Sequence, residues 1–425
     1  MTPVNTTRAF QLYQVCRYGA LVLTGIILAK SGFDAGAIGL FETIILISGV
    51  TSFFWLNGML NTFVVRSKSE GTGAIASLVL TVAVSTAAIC LGLIIFQQSV
   101  TAFFVLEQSF IYYLIPFIIF NNFSFITEHY LLVKEKGNIL VGLAAGHLLL
   151  VPTFVLTAVS WGQSVEWVII ALTLFLVLKN IYLMALIGKA LFSSDTSGWR
   201  TFFMAGLPLS LSFLFGGISV YADGIIVNYF YSKASFAIYQ YGAREFPLAM
   251  LLANAFAVAL VKYLSMDEAD GLDRMKSGSR RLWNQLFPAG ILLMVGSKYI
   301  FPLVFNEQFA TSYIYFNIYL LLIIPRLLFP QSLFISRGWT RWQLYISMME
   351  FAINIGSSLL LMRWIGLPGI AFGTLIAYFF EKICMVIILQ KKGVALSRYT
   401  HVNTYLFYSL VLAGVFLITT LSELI

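Results

Sequence analysis

The groups able to do chemistry in this 425-residue chain are ionisable side chains set in apolar surroundings. Arg17, Glu42, Asp223, Arg244, Glu245 and Arg326 each fall inside a long hydrophobic run. A charge at the centre of a membrane helix costs at least about 2.5–3.5 kcal/mol, so such residues face a partner or a wet cavity. Arginine there offers a planar fork that donates two charge-assisted hydrogen bonds at once, which suits a phosphate or a carboxylate. Cys16, Cys90 and Cys384 all lie in apolar runs with no companions at metal-ligand spacing. They read as packing residues, and no disulfide framework, metal or cofactor is expected.

Depth along each helix follows from its rise. Asp223 lies roughly 12 Å from the outer end of its span and Arg244 roughly 13 Å from the outer end of the next, at about 1.5 Å per residue. These are consecutive antiparallel helices, so a salt bridge is within reach, either as a gate or as a structural clamp. Glu245 sits beside Arg244, and Glu42 is a little nearer the outer surface. Arg17 and Arg326 each fall roughly 20 Å from the outer end of their spans. Arg17 either faces a cavity or snorkels to the inner headgroups. Arg326 follows Pro325, where a freed carbonyl needs a donor. Glu350 and Lys382 are expected to pair within the second half, and Lys179 to reach the inner interface. Glu128 and His129 read as a solvated helix end beside Lys134 and Lys136. His147 and His401 stand alone. Pro208, Gly216 and Gly217 on one span form a candidate hinge, although both residue types are common in membrane helices.

The elements that hold these residues are membrane helices. The chain is 60% hydrophobic and 10% charged, with a mean hydropathy of +0.89. Soluble domains carry about a quarter charged residues. The first apolar stretch contains Arg17 and lacks a small-residue cleavage site, so it reads as a retained span. Runs long enough to cross a bilayer fall at 8–30, 36–65, 74–97, 109–133, 138–160, 165–188, 201–231, 235–262, 284–305, 312–336, 342–363, 367–390 and 403–424. They are continuous and too long for barrel strands. With the N-terminus inside, most basic residues fall on the inner side, and only Lys30, Lys233, Lys298 and Arg363 fall outside. The net charge of +8 therefore reports topology, not a nucleic-acid partner. The basic stretch 265–284 reads as a solvated inner loop. The short outer loops leave little room for an extramembrane catalytic domain.

The layout is duplicated. RYGALVLTGIILAKSGFDAGAIGLFETIILISG in spans one and two is echoed by AGLPLSLSFLFGGISVYADGIIVNYFYSKASFAIYQYGAREFPLAM in spans seven and eight. Each copy has a glycine-bearing span, a short turn, and a small-x-aromatic start: Gly39-Leu40-Phe41 and Ala237-Ile238-Tyr239. Six spans separate the copies, so the halves are parallel repeats about an axis along the membrane normal. The expected fold is an all-α polytopic membrane protein. It has two six-helix lobes, 1–195 and 196–391, around a central cavity, and an extra C-terminal helix at 392–425.

GLPLSLS at 206–212 and ADGIIVNYFYSKASFAIYQYGA at 222–243, with their weaker N-terminal echo, resemble the MOP exporter superfamily. Within it, the chain looks like the Wzx-type flippases of lipid-linked oligosaccharides. That family has twelve or fourteen helices, and thirteen departs from it. The resemblance implies two lobes that rock to expose a cavity to either side of a bacterial cytoplasmic membrane. It implies a polyprenyl-diphosphate oligosaccharide of the O-antigen, capsule or exopolysaccharide type as substrate. Membrane lipids and glycan-assembly proteins would be its partners. Arg17, Arg244 and Arg326 would hold the diphosphate, with Asp223, Glu42 and Glu245 as gate or ion-pair residues. Asn57, Asn61, Asn228, Asn254, Tyr239, Gln240 and Tyr241 are candidates for sugar hydroxyls. A drug/cation antiporter of the same superfamily is the alternative, but buried arginine repels a cationic drug. A membrane glycan polymerase or transferase is disfavoured by the short outer loops.

Overall fold

The computed structural model describes residues 5–162, 164–193 and 198–423. Among the described residues every regular element is helical. In hydrocarbon each backbone group must find its partner within its own segment, which apolar runs of this length do as helices.

The first six long helices are α1 (Thr6–Lys30), α2 (Ala35–Glu70), α3 (Thr72–Ile95), α4 (Phe110–Val133), α5 (Gly137–Trp161) and α6 (Val165–Ser193). Local chemistry sets their ends. Gly32, at φ 83°, turns the chain after α1, and the Asp34 side chain accepts from Ala37 N at 2.6 Å to start α2. Next come α7 (Trp199–Gly217), α8 (Ser219–Phe230), α9 (Lys233–Gly242), α10 (Pro247–Met266) and α11 (Glu268–Val304). The chain continues through α12 (Ser312–Leu320), α13 (Ile323–Arg326), α14 (Pro330–Ser336), α15 (Thr340–Ile365), α16 (Pro368–Lys391) and α17 (Val402–Thr419).

Among the described residues, 11 helices are long and apolar enough to cross a membrane, and 13 spans result when two broken pairs are each read as one. That count equals the number of apolar runs in the sequence. The broken pairs are α7 with α8, and α12–α13 with α14; the second bends by 47°. Pro208 leaves α7 intact, and the helix stops only after Gly217. The surroundings of Gly216 lie outside the described residues. The run at 235–262 is also interrupted. Residues 243–246 are non-helical, and Pro247 restarts the helix at its first position, where a missing N–H does no harm. Arg244 and Glu245 therefore sit in a helix break rather than on a continuous helix.

The chain forms two compact units. One contains Met1–Gly217 with Tyr231–Ala234, and the other contains Ile218–Phe230 with Ser235–Ile425. The dividing line crosses the break at Ile218; residues 194–197, where a boundary is expected from the sequence, lie outside the described residues.

In the first unit, Trp55, Leu56, Met59, Leu60 and Phe63 of α2 pack on Leu78, Ile126, Leu183 and Phe202. Close approach of α2 and α7 depends on small residues. A Cβ on Gly58 would lie 2.1 Å from Ser210 Oγ, and one on Gly206 would lie 2.5 Å from Met59 Sδ. Such contacts let helix backbones gain dispersion energy where no water is expelled. The turn at 231–234 docks on the same unit. Lys233 Nζ donates to Thr43 Oγ1 at 3.1 Å and to the Phe104 carbonyl. Gly39 touches the Lys233 backbone so closely that a Cβ would fall 1.9 Å from its oxygen.

In the second unit α15 and α16 pair in the same way, through Gly369 against Leu361 and Gly373 against Ser358. Of the stretch 265–284, expected as a loop, residues 265–266 close α10 and 268–284 open the 37-residue α11. Asp267 caps it by accepting from Ala269 N and Asp270 N. Leu272, Met275 and Trp283 turn inward while Arg274, Arg280 and Arg281 stay exposed. A helical spacing of apolar residues runs through the polar sequence and carries it as a helix.

Candidate functional site

The first unit buries an ion cluster that reading the sequence missed. Glu128 of α4 is fully buried. Its Oε1 meets Arg17 Nη1 of α1 at 3.0 Å, and its Oε2 meets Lys179 Nζ of α6 at 2.8 Å. Lys179 also donates to Tyr13 Oη at 2.7 Å, and Tyr13 Oη lies 3.4 Å from His147 Nδ1. The Arg17 guanidinium stacks 4.5 Å above the Phe125 ring. Glu128 is thus the centre of the cluster rather than a solvated helix end, Lys179 is buried rather than snorkelling, and His147 has company. Arg17 neither snorkels freely nor is sealed, since its side chain is 31% exposed. Two cations share one carboxylate here, so the cluster carries a surplus positive charge on its accessible member. Glu42 is also buried in this unit, on α2.

In the second unit the antiparallel pair expected between Asp223 and Arg244 does not form. Asp223 Oδ2 accepts instead from Tyr239 Oη at 2.8 Å, Tyr319 Oη at 2.6 Å and Thr374 Oγ1 at 2.6 Å. The acid is answered by hydroxyls from three helices because the break after Gly242 turns Arg244 away. Arg244 Nε donates to the Gln240 carbonyl at 3.1 Å, and its guanidinium lies 5.3 Å from the Tyr241 ring. Glu245, its neighbour in the break, forms an ion pair with Arg326 at the end of α13. Tyr378 Oη donates to Glu245 Oε1 at 3.1 Å and completes that pair.

The expected pairing of Glu350 with Lys382 is also replaced. Glu350 accepts from Ser219 Oγ at 3.1 Å. Lys382 pairs with Glu381 at 2.9 Å and donates to Gln331 Oε1. Among the side chains proposed to meet sugar hydroxyls, Asn228, Tyr239 and Tyr241 are buried in packing. Asn57, Asn61 and Asn254 are exposed. No group of His, Cys, Asp and Glu side chains among the described residues is arranged to hold a metal ion.

The fold matches solved membrane proteins over nearly the whole chain. The structure aligns with the lipid II flippase MurJ in an inward closed conformation at a TM-score of 0.70 and 15% identity, over 96% of this chain and 92% of that one. It aligns with the inward-facing conformation of a multidrug resistance MATE family transporter of the MOP superfamily at 0.60 and 12% identity, over 98% and 96%. The chain shares the fold of these solved transporters. A third MOP structure, a transporter from Pyrococcus furiosus whose binding pocket has reversed polarity, aligns at 0.57 and 11% identity, over 97% of each chain. No protein-family model matches the sequence, and no curated protein does. At these identities the likeness concerns the fold, and the chemistry must be read from this chain's own residues.

Each unit carries its own charge cluster. The structure joins Arg326 to Glu245 and brings Arg17 to an acid that the sequence reading had set aside. A signal for Glu128 existed: an acid several residues inside a run rich in Phe and Ile has no water to turn to.

Proposed function

We propose that the protein is a flippase for a polyprenyl-diphosphate-linked oligosaccharide in a bacterial cytoplasmic membrane. The observation that carries this reading is the cluster of Arg17, Lys179 and Glu128, in which two cations share one carboxylate and the partly exposed one is a guanidinium. A diphosphate supplies the missing negative charge and fits the two-pronged donor. Arg244, held in a helix break by backbone and ring contacts, is a second anion ligand. The sugar head cannot enter hydrocarbon unaided, because each unsatisfied polar group there costs several kcal/mol. A sheltered polar route with the tail left in lipid answers that cost without bond chemistry, so the protein works as a carrier and not as an enzyme.

In this reading the lobes 1–195 and 196–391 alternate access, the segment at 392–425 is an addition, and the span with Pro208, Gly216 and Gly217 flexes between them. Glu42 and Asp223 contribute to gating. Arg326, paired with Glu245, ranks below Arg17 as a diphosphate ligand. The N-terminus lies in the cytoplasm. An antiporter of organic cations is the poorer fit, because the surplus charge in the first cluster repels its cargo.

The test is translocation of a fluorescent polyprenyl-diphosphate sugar in liposomes. Arg17→Ala is expected to slow it by about 10–100-fold, the worth of a hydrogen bond to a charged group. Arg17→Ala and Arg244→Ala variants that both transport at the wild-type rate, at equal reconstitution, would remove the basis of the assignment.

A further inference from the structure

The second unit holds a small pocket where its helix breaks meet. Asn254 of α10, Arg326 of α13, Phe329 and Gln331 around the start of α14, and Tyr378 and Lys382 of α16 line about 30 Å³ of space. The chain leaves the helix between Arg326 and Pro330, and that interruption makes the room.

Two bases line the pocket and no carboxylate does. Their acids, Glu245 beside Arg326 and Glu381 beside Lys382, are not part of the lining. What these pairs leave over is a set of donors. Arg326 spends Nη2 on Glu245 and Tyr378, while its Nε is buried with no partner. An ammonium has three N–H groups. Lys382 gives one to Gln331 Oε1 and one to Glu381, which leaves the third unspent. The Gln331 oxygen is taken by Lys382, so its NH₂ group is the part left over. The Asn254 amide makes no hydrogen bond to the described residues. A buried donor without an acceptor is costly.

A water accepts from only two of these four donors and brings two hydrogens of its own. A cation would meet two bases. A monatomic anion accepts from all four, carries no hydrogen, and is drawn by both bases. Size selects among anions. One water needs about 10–15 Å³ of such space. About 30 Å³ therefore admits a single-atom anion with at most a water beside it. A phosphate, with its tetrahedron of oxygens, is too large, so this site is separate from any that takes a diphosphate head.

We propose that this pocket binds one chloride ion, which ties α10, α13, α14 and α16 together where the breaks leave donors over. The proposal asks nothing of the flippase reading and holds whatever the cargo is.

The experiment is chloride NMR on the full-length protein in detergent micelles, where exchange with a bound ion broadens the free-chloride line. Ionic strength is held constant with gluconate. The protein is expected to broaden the line beyond protein-free micelles, and bromide to reverse the effect. Inorganic pyrophosphate should leave part of the broadening in place, and that part is assigned to this pocket. Gln331→Glu keeps the acceptor for Lys382 and turns the spare donor into an anion. Asn254→Asp makes the same change at an exposed position. Each should cut the pyrophosphate-resistant broadening about tenfold or more, the worth of a hydrogen bond to a charged group. The proposal is overturned if the protein adds no broadening, or if pyrophosphate removes all of it. It is also overturned if both variants broaden the line like the wild type. The first two readings use the unmodified protein, so a variant that fails to fold does not void the test.

Discussion

Glu128 is the residue on which the first unit's electrostatics turn. Glu128→Gln leaves Arg17 and Lys179 facing each other across a neutral amide. Removing one member of a buried ion pair costs about 3–5 kcal/mol. Denaturant unfolding in micelles should show a loss of that order. Adding Lys179→Met to Glu128→Gln removes the second buried charge and should recover most of the loss. Arg17→Ala should unfold nearly like the wild type, because Glu128 keeps Lys179 at 2.8 Å. Equal destabilisation by Glu128→Gln and Arg17→Ala would mean that Lys179 does not hold the acid alone. This contrast also lets the transport effect of Arg17→Ala be read as lost ligand binding rather than lost fold. None of these pairings was legible in the sequence. The partners lie 111 residues apart for Arg17 and Glu128 and 51 apart for Lys179 and Glu128. Depth along a helix can be counted from its ends, but the azimuth at which a side chain leaves it is set by packing. Asp223 and Arg244 share a depth in the count and yet do not pair.

At the scale of elements, the sequence carried more. Apolar runs marked the spans, and Pro247, Pro325 and Pro330 stood in view where the chain leaves the helix. Those prolines lay inside runs long enough to cross unbroken, so hydropathy masked the breaks. The basic stretch 265–284 hid a helix because charge was weighed there before spacing. Helix contacts give sharper expectations. Gly58→Val forces branched atoms into Ser210 and should destabilise the α2–α7 pair by about 1–3 kcal/mol, the usual range for overpacking. Gly142→Ala, with nothing within 4 Å of the new Cβ, serves as the control and should be neutral or slightly stabilising. Thermal unfolding of both variants decides the matter.

The turn at 231–234 makes a pH prediction. Burial pushes the Lys233 ammonium down to about 8 from an ordinary value of 10.5. The folded state therefore resists charging this amine, and the penalty is full below about pH 8. Between there and pH 10.5 the unfolded chain binds more protons, so stability from this group rises with pH. Wild-type unfolding temperature should climb over that window relative to Lys233→Met; parallel curves would assign the amine no such role.

At the scale of the whole molecule, crossing number sets sidedness. Counts of 11 and 13 are both odd. With the N-terminus in the cytoplasm, either count delivers the end of α17 to the outer face. If only one of the two broken pairs crosses, the total is even and the end returns inside. A phosphatase fused after Thr419 should be active and a fluorescent protein at the same point dark. The reverse pattern would overturn the topology. The duplicated layout and the positive-inside bias were readable from composition and order alone, since both are one-dimensional properties of the chain.

The length of α11 has one further use. Its 37 residues extend about 55 Å at 1.5 Å each, against about 40–45 Å for a bilayer with its headgroups. The surplus, like that of the 36-residue α2, reaches past the headgroups where the helix stands along the membrane normal. Exposed Arg274, Arg280 and Arg281 mark where it surfaces. That makes it a natural grafting point for a rigid fiducial in single-particle imaging of a 47.4 kDa membrane chain.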